Sequence, residues 1–169
     1  MSDDRFEIDA GPILQRLVTR GVDFVVIGGI ATVLHGSARL THDLDICYAT
    51  DRGNLDALGE VLVGLNARLR GVPDDVPFIP DGATLRRVDV LALSTDYGNF
   101  DVLARPSGMT SYANLRENAE RMDLGGFNVL VAHPLDLISM KRTANRPKDL
   151  ADIAELEAIL RIRRDEAEG

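Results

Sequence analysis

Short apolar runs alternate with stretches of helical spacing along this chain, and glycine or proline separates most of them. Residues 13–20 carry apolar side chains at helical intervals, with Pro12 near the first turn and Gly21 as a stop, which predicts a helix. Asp23 to Ile27 is a continuous apolar run after its first residue and reads as a buried strand. Ile30 to His35 predicts a helix opening directly from Gly28-Gly29 and ending at Gly36, and Leu44 to Tyr48 predicts a second strand. Leu55, Leu58, Val61, Leu62 and Leu65 share one helical face, so a helix is expected over residues 54–69. Residues 71–83 hold Pro73, Pro77 and Pro80 between Gly71 and Gly82 and predict a loop.

Leu85 to Ser94 and Phe100 to Leu103 read as two strands joined by a turn at Asp96-Tyr97-Gly98-Asn99. Tyr112 to Arg121 predicts a helix and Phe127 to Val131 a strand. Pro134 to Thr143 and Pro147 to Arg164 predict the last two helices, broken at Asn145-Arg146. The expected fold is α/β (α+β): a small mixed sheet flanked by helices, in a single domain over residues 1–169 whose C-terminal part, about 134–166, is helical.

The chain has 169 residues, 45% of them hydrophobic and 27% charged, enough for a domain with its own core. No apolar run approaches the roughly 20 residues that a membrane helix needs. The acidic start, Met1-Ser2-Asp3-Asp4, lacks the features of a signal peptide, and Cys47 is the only cysteine, so no disulfide framework can form. A cytoplasmic protein is expected, with Cys47 as a small buried strand residue. The net charge of −8 argues against a broad nucleic-acid surface, which would be basic. Two basic groups stand out nonetheless. Arg68, Arg70, Arg86 and Arg87 read as a solvated face, while Lys141, Arg142, Arg146 and Lys148 flank a predicted helix start.

The chemistry concentrates in residues 28–46. Asp43 and Asp45 are two apart in a strand, so both side chains project to one face. Adjacent carboxylates repel unless a cation lies between them, and hard oxygen ligands suit Mg²⁺ or Mn²⁺. The Gly28-Gly29 turn lets backbone N–H groups approach phosphate. A third carboxylate from a neighbouring strand is required. Asp101 is the preferred candidate, since an acid inside the apolar run Phe100–Leu103 is costly unless paired or metal-bound; Asp89 is the alternative. Arg39 can reach phosphate or pair with Asp43, and Thr41 flanks the carboxylates. His35 reads as a structural residue at a helix end. Lys148 can serve an anion at the helix start that follows Pro147, or pair with Asp152 one turn on.

The run Gly28-Gly29-x-Ala31-x-x-x-His35-Gly36-x-x-Arg39-x-Thr41-x-Asp43-Leu44-Asp45 resembles the nucleotidyltransferase (DNA polymerase β-like) superfamily. With the segment from Lys141 to Asp152, the chain is similar to the AbiEii/AbiGii-type branch, which includes toxins of type IV toxin–antitoxin systems. The resemblance implies that Asp43, Asp45 and Asp101 bind divalent metal and that Gly28 and Gly29 contact nucleotide phosphates. It also implies a required lysine at Lys141, with Lys148 and Asp149 following; Arg39, Thr41, Lys148 and Asp149 join the nucleotide-binding candidates. The implied reaction transfers a nucleoside monophosphate from an NTP to an acceptor hydroxyl on RNA, protein or a small molecule, with an antitoxin protein as a further implied partner. The alternative is a non-catalytic nucleotide-binding or antitoxin-like protein that has kept the fold.

Overall fold

A computed structural model describes residues 8–169. Seven strands form one mixed sheet: β1 (Phe24–Ile27), β2 (Asp43–Tyr48), β3 (Arg68–Leu69), β4 (Val90–Thr95), β5 (Gly98–Leu103), β6 (Glu120–Asp123) and β7 (Asn128–Val131). Their order across the sheet is β3-β4-β5-β2-β1-β7-β6. β2 runs antiparallel to β1 and parallel to β5, and β1 runs parallel to β7. The helices are α1 (Ala10–Thr19), α2 (Gly28–Leu34), α3 (Arg52–Gly64), α4 (Gly82–Leu85), α5 (Tyr112–Asn118), α6 (Pro134–Ala144) and α7 (Pro147–Glu168). The expected α/β architecture with a mixed sheet and a helical C-terminal end is what the chain adopts.

The core follows from the central strands. All four residues of β1 are buried, as are Leu44, Ile46 and Tyr48 on one face of β2 and Phe100 and Val102 on β5. α3 contributes Leu55, Leu58 and Leu62, on the helical face read from the sequence. Asn54 ties this helix to the ends of the central strands β1 and β2: its amide accepts from the Asp23 backbone N–H at 2.7 Å and donates to the Asp23 and Ala49 carbonyls.

Three boundaries depart from the sequence reading. The helix expected to reach residue 69 stops at Gly64, because Asn66 adopts a left-handed backbone and turns the chain into β3. Arg68 and Leu69 then pair with Ser94 and Leu93 of β4. Leu85 does not open a strand: Asp81 accepts from the Thr84 N–H at 3.0 Å and caps the short α4, so β4 begins at Val90. Arg121 and its neighbours form β6, not the end of a helix. There Asp123 accepts from the Gly125 and Gly126 N–H groups, and both glycines are left-handed, which closes a hairpin with β7. The break at Asn145-Arg146 falls where expected, with Asn145 left-handed at the end of α6.

Candidate active site

Register along the sheet builds the site. Ile27 pairs with Asp45, and Asp45 pairs with Asp101 on the parallel strand β5. Asp45 therefore stands between the Gly28 turn and Asp101. Gly28 is left-handed at φ +71°, and an added Cβ would lie 2.9 Å from the Asp45 carboxyl carbon, so only glycine lets Asp45 pack this closely. At Gly29 an added Cβ would lie 2.5 Å from Thr41 Oγ1, so the segment before β2 seats on a glycine as well.

Burial is the largest effect on Asp45, followed by the neighbouring Asp101 carboxylate; Asp43 adds to them and Lys141 opposes. Together they push the Asp45 carboxyl up to about 7. Asp101 has a cation of its own: Arg70 Nη2 lies 2.6 Å from its Oδ1. Asp89 is elsewhere. It is exposed ahead of β4, and its charge is felt by Tyr48 on the opposite face of β2. Of the two candidate third carboxylates, the structure brings Asp101 to Asp45.

The far wall of the same cleft comes from α6 and α7. Lys141 is buried, and its Nζ donates to Asp152 Oδ2 at 2.8 Å. Arg39 donates to the other Asp152 oxygen, so its partner is Asp152 and not Asp43. Burial raises the Asp152 carboxyl, but Arg39 and Lys141 outweigh it and hold the group below the usual range. Asp149 is buried too, and its carboxylate accepts from the Arg146 backbone N–H at 3.1 Å and from the Arg146 side chain. It is thus the anion at the start of α7 and fixes Arg146 at the cleft rim. Lys148 is exposed on the same rim, and its predicted partner Asp152 is taken by Lys141. The cleft encloses about 550 Å³ and brings the carboxylates, both glycines, Arg39, Thr41, Lys141, Lys148 and Asp149 to one place.

Sequence reasoning missed two participants. Asp152 was legible only as a helix neighbour of Lys148, and Arg70 only as one of four arginines on a solvated face. Arg68 and Arg86 do pair at the surface, with Asp74 and Asp56, but Arg70 turns inward to the site. His35 is structural as read. Its Nε2 donates to the Ala132 carbonyl at 2.8 Å, Arg163 donates to Nδ1 at 3.0 Å, and burial lowers its pKa.

The donor set suits a hard divalent cation, since it consists of carboxylates whose mutual repulsion a cation would relieve. Among the described residues, no three His, Cys, Asp or Glu side chains stand as a ready-made ion cage. Residues 13–166 match the family described as "Nucleotidyltransferase of unknown function (DUF6036)". The chain belongs to that family. Solved structures agree with this nucleotidyltransferase assignment at the level of fold. The lincomycin-bound lincosamide antibiotic adenylyltransferase LnuA superposes with a TM-score of 0.58 at 16% identity, covering 88% of this chain and 94% of that one. An antigenic nucleotidyltransferase-like protein from Paracoccidioides brasiliensis gives 0.57 at 18% identity, over 96% and 78% of the two chains. The antibiotic-resistance factor ANT(2'')-Ia gives 0.54 at 13% identity, over 92% and 89%. No curated protein matches the sequence. No helix among the described residues is long and apolar enough to cross a membrane.

Proposed function

We propose that this nucleotidyltransferase moves a nucleoside monophosphate from an NTP to a hydroxyl of a small-molecule acceptor and releases pyrophosphate. The observation that carries the reading is the Asp45–Asp101 pair on adjacent parallel strands, held against the Gly28 turn and facing a cationic wall. Asp43, Asp45 and Asp101 would hold Mg²⁺ or Mn²⁺, which supplies charge neutralisation and a more acidic acceptor hydroxyl when bound. On this reading Asp101 would take the proton from that hydroxyl. Gly28 and Gly29 would meet the phosphates through their backbone N–H groups. Arg39, Arg146 and Lys148 provide positive charge for the triphosphate, while Lys141 keeps Asp152, and through it Arg39, in position. Rate acceleration on this plan rests on positioning and electrostatics.

A small acceptor is favoured over RNA by the acidic chain and by the cleft, whose volume of about 550 Å³ suits small ligands. Two of the structural relatives are themselves described as an antibiotic adenylyltransferase and an antibiotic-resistance factor. The toxin reading, with RNA or protein as acceptor and an antitoxin partner, rests on the resemblance of the Lys141–Asp152 segment. Incubation with each α-³²P-labelled NTP, Mg²⁺ and either a panel of hydroxylated small molecules or a cell extract tests both. Label in a small organic product supports the proposal. Label in RNA or protein, with growth arrest on expression, would replace it by the toxin reading. No transfer to any acceptor would favour a non-catalytic nucleotide-binding role.

A further inference from the structure

We propose that Arg70 is the counter-cation of the metal-free carboxylate pair, and that a divalent ion must displace it from Asp101 to bind. This inference rests on the metal-dependent reading above.

Three observations point to it. First, β3 is only two residues long, yet the ladder continues past it: the Arg70 N–H donates to the Ala92 carbonyl at 2.9 Å. Ala92 is itself in register with Asp101, so the backbone delivers Arg70 to the row that carries the site. Second, one nitrogen makes all the side-chain bonds. Nη2 donates to Asp101 Oδ1 at 2.6 Å and to the Leu93 carbonyl at 2.9 Å. Third, Arg70 Nε is buried with no hydrogen-bond partner. A guanidinium that served only as a structural tie would gain most from a two-pronged pairing with the carboxylate, which would satisfy Nε as well. The one-pronged arrangement leaves a buried donor unmet, which makes this position of the guanidinium easier to give up.

The arrangement has a functional consequence. Asp45 and Asp101 face each other across one ladder step, and Arg70 lets them do so without a metal ion. Its single charge holds the acids together but does not offer the open coordination that phosphate transfer needs. Arg70 and a divalent ion are therefore competitors for the same carboxylate, and the protein resists loading by metal alone.

The test is Mn²⁺ binding, followed through the signal of free Mn²⁺ in electron paramagnetic resonance and, independently, through the melting temperature with and without Mn²⁺. R70A and R70Q are compared with the wild type and with R70A/D101N. Removing the competing pair should tighten Mn²⁺ binding roughly tenfold, the usual scale of a charge-assisted hydrogen bond. Melting should fall in the metal-free variants and be restored by Mn²⁺ more than in the wild type. D101N should cancel the gain. Unchanged or weaker Mn²⁺ binding in a folded R70A or R70Q, alongside measurable wild-type binding, overturns the competition and leaves the metal-dependent reading standing. Absence of Mn²⁺ binding in every protein, with NTP present, overturns both. If R70A does not fold, R70Q carries the comparison, because its amide keeps the stem packing and lacks the charge.

Discussion

Gly28→Ala isolates the contact on which the site depends, and Gly21→Ala is its internal control. Both glycines are left-handed, at φ +71° and +77°. An added Cβ at Gly21 meets nothing within 4 Å, whereas at Gly28 it falls 2.9 Å from Asp45 Cγ and 3.0 Å from Asp45 Cβ. Left-handed strain for alanine costs about 1–2 kcal/mol, partly offset by the smaller entropy of the unfolded chain, so Gly21→Ala should lose about 1 kcal/mol. Gly28→Ala carries the same strain plus overpacking of about 1–3 kcal/mol, for a total of about 2–4 kcal/mol. For a chain of this size those losses correspond to melting decreases of about 2–4 °C and about 5–15 °C. The Asp45 carboxylate must also move from its place beside Asp101, so nucleotidyl transfer should vanish in Gly28→Ala and persist in Gly21→Ala. Calorimetry with a labelled-NTP assay reads both. Equal melting losses and retained transfer in Gly28→Ala would refute the claim that Gly28 sets the position of Asp45.

Three further outcomes follow from the site. The Asp45 carboxyl is raised from an ordinary value of 3.8 to about 7, so the folded state keeps a proton that the unfolded chain releases. Its contribution is complete below about pH 4 and is lost as pH rises to about 7, on the order of a few kcal/mol. In chelator, Asp45→Asn should therefore gain on the wild type in melting temperature across that window and stay ahead above it, while losing transfer; parallel melting curves would contradict the raised Asp45 carboxyl, which burial and then the Asp101 charge produce. Lys141→Ala leaves the buried Asp152 with Arg39 alone and should cost about 2–4 kcal/mol as well as turnover. Lys148→Ala should melt like the wild type and raise the KM for NTP only. Equal melting of the two variants would show that the Lys141–Asp152 pair contributes nothing to the fold.

The legible part of this protein was local. A continuous apolar run after Asp23, a glycine pair and an Asp-x-Asp strand are set by backbone sterics and by the two-residue period of a strand, so β1, the Gly28 turn and the shared face of Asp43 and Asp45 could be read from residues alone. The break at Asn145-Arg146 was readable for the same reason. The hairpin of β6 and β7 has a local signal in Asp123-Leu124-Gly125-Gly126, a turn that the expected helix over Tyr112 to Arg121 left without a first strand.

What the sequence could not decide was which strand lies beside which. The choice between Asp89 and Asp101 was made by the parallel pairing of β2 with β5, a contact between segments far apart in the chain. The same holds for Arg70, which reaches the site only because an edge strand of two residues pairs with β4. It holds again for Asp152, whose partner is not the lysine one turn away on its own helix. That partner is Lys141 on the preceding helix, brought close by the packing of α6 against α7. Propensity and spacing act over a few residues. Ion pairs between distant elements depend on strand order and helix packing, and the burial of the whole chain fixes those.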